Sequence, residues 1–347
     1  LHRLIRRQRQ MCIRDRALYK NGVGAVDLIY GADASPMLYK DTDAAIIVMT
    51  LDLAWVIPYC YLYYSLKSRG KKVLFYTTVE GKVGKGYGTE WVQREIVFTA
   101  NSKYTMKKLL DAKFKVNSVI YHGVNVEEIQ SFRWKRNQIR RALGIGDDEF
   151  VVGYIANGYL RKGHELFSEV IRIVEQKDPS IRFVVLTNKN GAEKYSGVER
   201  AIILTDFGKL GKADIFGLYH AFDLYAQASL REGFGLPILE ALAAGKMVVH
   251  PDYMPLSEIT TDKTSFRVKV TSIDYKKDIG AILYELHYYD PMEMADVIIQ
   301  AKEVIQKDRE FFAKQCIRRA KRFDYIKTYK QFINILLRGG ISYEHTT

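Results

Sequence analysis

Two glutamates separated by seven residues, Glu232 and Glu240, enclose Gly233-Phe234-Gly235-Leu236-Pro237-Ile238-Leu239, and the run continues through Ala241-Leu242-Ala243-Ala244-Gly245 into apolar Met247-Val248-Val249. The order reads as loop, short helix, strand. Pro237 suits a first helical turn, where its missing N–H has no helical partner to lose, and Gly245 suits the left-handed residue just past the end. The first amides of such a helix have no intrahelical acceptor, and two glycines ahead of it let a ligand approach the backbone closely. Glu232 is expected at the mouth of this helix and Glu240 within its first turn, facing the same ligand. Two carboxylates and a row of amides on one spot suit a hydroxyl-rich ligand that also carries an anion.

The elements around this stretch alternate. Phe150 to Ala156 is expected as a strand, His164 to Gln176 as a helix, Arg182 to Leu186 and Ile202 to Leu204 as strands, and Lys212 to Ala221 as a helix. Leu224 to Ala228 is the strand that delivers the chain to Glu232. Strands alternating with helices at this spacing predict a parallel, doubly wound sheet with ligands bound beyond the strand C-termini. No Gly-x-Gly-x-x-Gly fingerprint follows a strand and no Gly-Lys-Ser/Thr phosphate loop is present, which argues against nicotinamide and P-loop chemistry.

The first half follows the same rhythm. Ala17 to Gly22 reads as a helix end with its glycine, Ala25 to Tyr30 as a strand, and Asp43 to Met49 as a buried parallel strand. Asp41-Thr42-Asp43 has the spacing of a metal-binding Asp-x-Asp, but is read here as a turn cap, and no metal is expected. Ala44 to Leu66 is apolar enough to suggest a membrane span, yet Asp52 and Pro58 interrupt it, so a strand, a loop and a helix through Trp55 to Leu66 account for it better. A helix end at Gly70, a strand Val73 to Tyr76, a strand within Arg94 to Ser102, a helix Lys103 to Asp111 capped by Ser102, and a strand Val119 to Tyr121 complete this half.

The chain of 347 residues exceeds what one core supports, so two domains are expected. A formal charge of +13 points to an anionic partner: nucleic acid, a membrane surface or a phosphorylated substrate. Cys12, Cys60 and Cys316 follow no disulfide or metal spacing, which fits a reducing compartment. Leu1 to Arg16 differs from the rest, with six Arg and one Asp. Its Met11-Cys12-Ile13-Arg14-Asp15 resembles a translated sequencing adaptor, and residues 1–16 are set aside; the other reading is a basic arm, which would lack the aromatics that single-stranded nucleic acid stacks on.

The Glu232 to Glu240 signature resembles that of the retaining glycosyltransferases of family 4, which have the two-domain GT-B fold: two Rossmann-like parallel-sheet domains facing a cleft. Asn101-Ser102 and His122-Gly123-Val124-Asn125 resemble the end of that family's first domain, and Arg322-Phe323-Asp324-Tyr325 the start of its returning C-terminal helix. The resemblance implies an N-terminal acceptor-side domain over residues 17–135 with a linker near 132–139, a nucleotide-sugar domain over 136–320, and a helix crossing back over 321–347. It places Lys162 on the donor diphosphate. The family's arginine six positions earlier falls on Ala156, leaving Arg161 as the substitute. It further assigns the Gly233, Phe234, Gly235 and Leu236 amides to sugar and phosphate, Glu232 to the sugar hydroxyls, Glu240 to the ribose, Phe207-Gly208 to the base, and Thr78 and Glu80 to the acceptor side. Asp223 matches an acidic position ahead of the last strand, and Glu258 is read as structural.

The implied activity is transfer of a sugar from a nucleotide-diphosphate sugar to an acceptor hydroxyl, with retention, without metal or other cofactor. The expected acceptor is a glycan, a lipid-linked or a small molecule. The other readings are a nucleotide-sugar epimerase on this fold and a non-catalytic nucleotide-sugar-binding module. Nucleic acid is not expected as a partner; a cytoplasmic location, with peripheral contact to an anionic membrane, is. The family's first strand and its glycine-rich loop have no counterpart before Ala17, so the chain is expected to be N-terminally incomplete.

Overall fold

The computed structural model describes residues 16–18, 20–23, 42–51, 53–84, 89–277 and 282–338. The expectations for residues 1–15, for the strand Ala25 to Tyr30 and for Asp41 lie outside these. The chain divides into two compact units. The C-terminal unit comprises Val124–Asp274 and Leu286–Asp324; the N-terminal unit holds the described residues before Val124, Tyr275–Glu285 and the chain from Tyr325.

In the N-terminal unit, β1 (Ala44–Thr50), β2 (Lys72–Thr78), β4 (Val97–Ala100) and β5 (Lys115–Val119) form a parallel sheet in the order β1-β2-β4-β5. Alternation along β2 feeds two cores, as a strand with both faces covered requires. Phe75 packs edge-to-face on Phe98 and beside Tyr63 of α1 (Leu53–Ser68), while Leu74 and Tyr76 face the opposite core with Tyr329 and Phe332. Pro58 sits inside α1, which contains the helix expected through Trp55 to Leu66. At about 1.5 Å per residue, α1 spans about 24 Å, short of a bilayer core. No helix among the described residues is long and apolar enough to cross a membrane. Helix α2 (Thr89–Glu95) leads into β4, and α3 (Lys103–Asp111) begins where expected, with Ser102 Oγ accepting from Thr105 N at 3.0 Å. The expected strand Val119 to Tyr121 is displaced: β5 closes at Val119, and Tyr121 and His122 lie in the loop beyond it.

Tyr275–Glu285 enters this unit without warning from sequence. The long strands β12 (Val270–Lys277) and β13 (Ile282–Tyr289) lie next to each other in a sheet with β3 (Gly81–Val83), and β13 runs antiparallel to β3. Glu285 ties the insertion to α3 by accepting from Tyr104 Oη at 3.0 Å and Lys108 Nζ at 2.5 Å. Helix α11 (Tyr325–Arg338) belongs to the same unit.

The C-terminal unit is a parallel sheet in the order β11-β10-β9-β6-β7-β8: β6 (Phe150–Ile155), β7 (Ile181–Leu186), β8 (Ala201–Leu204), β9 (Leu224–Ala226), β10 (Met247–Pro251) and β11 (Ser265–Val268). Every residue of β6 is buried, as befits a central strand covered on both faces. Its helices of five residues or more, among the described residues, are α4 (Val126–Gln130), α5 (Lys135–Ala142), α6 (His164–Lys177), α7 (Lys212–Ala221), α8 (Leu236–Ala243), α9 (Pro291–Lys307) and α10 (Arg309–Lys321). The units divide between Gly123 and Val124, ahead of the 132–139 linker drawn from sequence. The reason is that α4 is bonded into the C-terminal unit: Ile129 O accepts from His220 Nε2 at 2.8 Å, and Gln130 Nε2 donates to Ala243 O at 2.5 Å.

Candidate active site

The loops after β6 and β9 meet at the C-terminal edge of the sheet. After β6 the chain makes a tight turn over Leu160–Lys162, and Gly163 closes it in the left-handed region at φ 67° before α6 begins. A Cβ on Gly163 would stand 2.3 Å from Ala228 O, so only glycine lets this turn lie on the β9 loop. Leu230 N donates to Arg161 O at 2.9 Å, and Tyr154 Oη donates to Lys162 O. The turn is thereby fixed on the segment that leads to Glu232.

Lys162 and Glu232 are consequently buried together, 2% and 8% exposed, with Lys162 Nζ donating to Glu232 Oε1. Arg161 turns toward the same carboxylate: its Nη1 lies 3.8 Å from Glu232 Oε2 and donates to Arg231 O at 3.2 Å. The position six residues before Lys162 is the buried Ala156, whose N–H donates to Leu186 O. Burial by itself would raise the Glu232 carboxyl, but the charges of Lys162 and Arg161 and hydrogen bonds from Lys162 and Ser229 outweigh it and hold the group at about 2. It is an anion throughout the physiological range.

Polar side chains that sequence reasoning missed set this loop. Gln227 Nε2 donates to Glu232 Oε1 at 2.9 Å and to Ser229 Oγ at 2.8 Å, and its Oε1 accepts from Tyr225 Oη at 3.2 Å. Tyr253 Oη donates to Ser229 O at 2.7 Å while its ring stacks on His287 at 4.2 Å, and His287 N donates to Leu230 O at 2.8 Å. Gln227, a polar residue closing an otherwise apolar strand, was the one local signal of this network. His164, the first residue of α6, is neutral: Nε2 donates to Asn157 O at 2.7 Å and Nδ1 accepts from Tyr195 Oη at 2.7 Å. Burial and the Lys162 charge push it down to about 4 against that backbone bond.

Gly233 and Phe234 lead from Glu232 directly to α8, which starts at Leu236 behind Gly235 at φ 98°. Pro237 falls in the first turn and Gly245 is left-handed at φ 78°, as the sequence predicts. Glu240 departs from expectation. As the fifth residue of α8 it lies beyond the first turn, because the helix already begins at Leu236, ahead of Pro237, and its Oε2 accepts from Tyr219 Oη at 3.0 Å. Phe207 and Gly208 sit at the same sheet edge after β8, with Phe207 N donating to Thr187 O at 3.0 Å. They are three strands from β9, about 14 Å at the usual strand spacing. Thr78 and Glu80, at the C-terminal end of β2, belong to the other unit. Asp223 is structural, its Oδ2 accepting from Val151 N at 2.9 Å, and the backbone carbonyl of Glu258 accepts from Arg319 Nη2. Among the described residues no group of His, Cys, Asp and Glu is placed to hold a metal ion.

Lys162, Arg161 and Glu232 together carry one net positive charge beside the α8 N-terminus. Fixed cations and helix amides on one spot can stabilise negative charge developing on a leaving phosphate, while the carboxylate accepts from hydroxyls.

Residues 135–283 match the family described as Glycosyl transferases group 1. A glycosyltransferase of Sulfolobus islandicus rod-shaped virus 1 is 27% identical over 283 residues, covering 80% of this chain and 82% of its own. The lipopolysaccharide core biosynthesis mannosyltransferase LpsB of Rhizobium meliloti is 28% identical over 152 residues, 42% of this chain and 43% of its own. Among solved structures, a glycosyltransferase from Rickettsia africae superposes with a TM-score of 0.69 at 14% identity, over 93% of this chain and 86% of its own. Anabaena HepE, solved with UDP and glucose, superposes with a TM-score of 0.62 at 18% identity, over 81% of this chain and 75% of its own. At such identities the structures speak for the fold.

Proposed function

Taking this chain as a GT-B glycosyltransferase with a group 1 domain, we propose that it moves a sugar from a nucleotide-diphosphate sugar to an acceptor hydroxyl with retention of configuration. The observation that carries the reading is the buried Lys162–Glu232 pair with Arg161 at its rim, at the sheet edge where α8 begins. Breaking the sugar–phosphate bond places negative charge on the departing diphosphate and positive charge on the sugar. Lys162, Arg161 and the amides of Gly233 to Leu236 answer the first, and Glu232 holds the sugar hydroxyls and answers the second. Glu240 takes the ribose and the backbone of Phe207-Gly208 the base. Thr78 and Glu80 serve the acceptor, whose proton passes to the departing phosphate without a metal.

Support for a nucleotide-sugar donor comes from the relatives: HepE was solved with UDP and glucose, and an E. coli trehalose-6-phosphate protein of similar fold with UDP-2-fluoro glucose. The test is a panel of nucleotide sugars with the purified chain and EDTA present, read as release of nucleoside diphosphate and as the anomeric configuration of the product by NMR. Donor binding without release would make the chain a binding module. Conversion of the donor sugar with no acceptor would make it an epimerase. Action in the cytoplasm at an anionic membrane is part of the proposal, and flotation with anionic against neutral vesicles tests the membrane contact.

A further inference from the structure

The opposite edge of the C-terminal sheet holds a charge arrangement that the donor site does not use. Asp223 immediately precedes β9 and Lys246 immediately precedes β10, and the parallel register pairs Leu224 with Met247, so the two residues stand side by side at the N-terminal edge. Asp223 Oδ2 accepts from Val151 N at 2.9 Å and from Arg140 Nη1 at 3.2 Å. Its Oδ1 meets two more guanidinium groups, Arg136 Nη2 at 3.4 Å and Arg309 Nη1 at 3.3 Å.

Arg140 carries the structural staple through Oδ2. Fully buried, it also donates to Ala221 O at 3.1 Å, Gly146 O at 2.7 Å and Glu149 O at 2.5 Å, which ties α5 to the starts of β6 and β9. Arg136 and Arg309 both answer the remaining oxygen, Oδ1, where a single guanidinium would suffice. Their side chains are 26% and 46% exposed and reach in from different helices toward an oxygen already shared. Lys246 brings a fourth cation, and Arg133 acts on it as a further charge.

Nearby carboxylates are committed elsewhere. Asp308 caps α10 by accepting from Phe311 N at 2.9 Å, and Glu310 pairs with Lys314 at 2.7 Å. Four cations around one carboxylate leave an excess of three positive charges, and like charges held this closely repel. Lys246 registers it: burial first, then Arg136, Arg133 and Arg309 against the attraction of Asp223, push its amine down to about 8.

We propose that this cluster is a second anion site, taking a phosphomonoester or inorganic phosphate held by Arg136, Arg309 and Lys246 above the Asp223–Arg140 staple. Two guanidinium forks approaching from different helices match the oxygens of a tetrahedral dianion, and such an ion offsets most of the excess charge. The site faces away from the Glu232 loop, since it lies at the strand N-termini and the loop at the C-termini. Its occupant is therefore a ligand other than the sugar donor.

Two readouts test this. Limited acetylation of the wild-type chain at pH 8, mapped by mass spectrometry, should show Lys246 modified in chloride and protected by inorganic phosphate at matched ionic strength. Calorimetry with inorganic phosphate should show binding weakened about ten- to hundredfold by Arg309→Gln, at least about a hundredfold by Arg136→Gln/Arg309→Gln, and retained in Lys162→Met, because each charge-assisted bond is worth about 1.5–3 kcal/mol. Phosphatidate vesicles in a parallel arm separate a lipid headgroup from a soluble phosphate, and loss of either binding in the double variant supports the site. Arg309→Gln alone, at the more exposed position, stands in if the double variant does not fold. Unprotected Lys246, or phosphate binding that survives the arginine changes and disappears with Lys162→Met, overturns the proposal.

Discussion

Replacing Lys162 with methionine would keep most of the side chain's volume and leave Glu232 as a buried carboxylate without its cation. A diphosphate contact predicts a loss chiefly of turnover; the burial of the pair adds a loss of stability. Removing one partner of a buried ion pair costs about 3–5 kcal/mol. Glu232 keeps Gln227 at 2.9 Å and Arg161 at 3.8 Å, which sets the expectation near the lower end, about 3 kcal/mol. The carboxyl itself leads to the same size. It is held at about 2 against an ordinary 4.5, so it contributes stability that is complete above pH 4.5 and is lost as pH falls toward 2. That difference is worth roughly 3 kcal/mol at neutral pH. Urea unfolding at pH 7 should therefore show Lys162→Met destabilised by that amount, with less further loss on acidification than wild type. Lys162→Met/Glu232→Gln should recover about 1–2 kcal/mol by removing the orphaned charge, with turnover still down about a hundredfold. A single variant within about 1 kcal/mol of wild type, or a double variant no more stable than the single, would refute the reasoning.

Three other outcomes are expected. Gly163→Ala should cost at least about 2 kcal/mol and weaken donor binding, since a Cβ would meet Ala228 O at 2.3 Å in a left-handed backbone; an unchanged Tm and Kd would contradict this. Glu240→Ala should chiefly weaken binding of a nucleoside diphosphate and Glu232→Gln chiefly slow turnover of bound donor; calorimetry showing equal loss of affinity in both removes the division. His164, His220 and His250 each sit near 4 against an ordinary 6.5, mainly through burial, so their stability is complete above pH 6.5 and is lost as pH falls toward 4. Three such protons allow a slope of up to about 4 kcal/mol per pH unit in that window, and a flat stability profile from pH 6.5 to 4.5 would count against it.

Local signals were legible wherever neighbours in the chain settle the structure. Ser102 capping α3, the bounds Lys212–Ala221 of α7, Pro237 in the first turn of α8 and Gly245 closing it all follow from side chains within a few residues of the groups they serve. The parallel sheet of the C-terminal unit followed from strands alternating with helices at βαβ spacing. Glu240 was misplaced by part of a turn because the helix begins at Leu236, directly behind the left-handed Gly235, one residue ahead of the proline that marks a first turn in sequence.

Other features had no local trace. Tyr275–Glu285 joins the N-terminal unit because Ile282 pairs with Val83 across some 200 residues. The units part before α4 because His220 and Ala243, far along the chain, hold that helix. Arg161 reaches the carboxylate that Lys162 also reaches because Gly163 lets the turn lie on Ala228, bringing adjacent side chains onto one loop. The amino-acid sequence by itself determined the alternation of elements, the caps and the donor-site residue types, since these depend on periodicity and on contacts within a turn. Only the tertiary structure decided which charges face one another, Lys162 and Arg161 on Glu232 at one sheet edge and three arginines on Asp223 at the other, because strand register and loop docking bring together residues that no spacing in the chain relates.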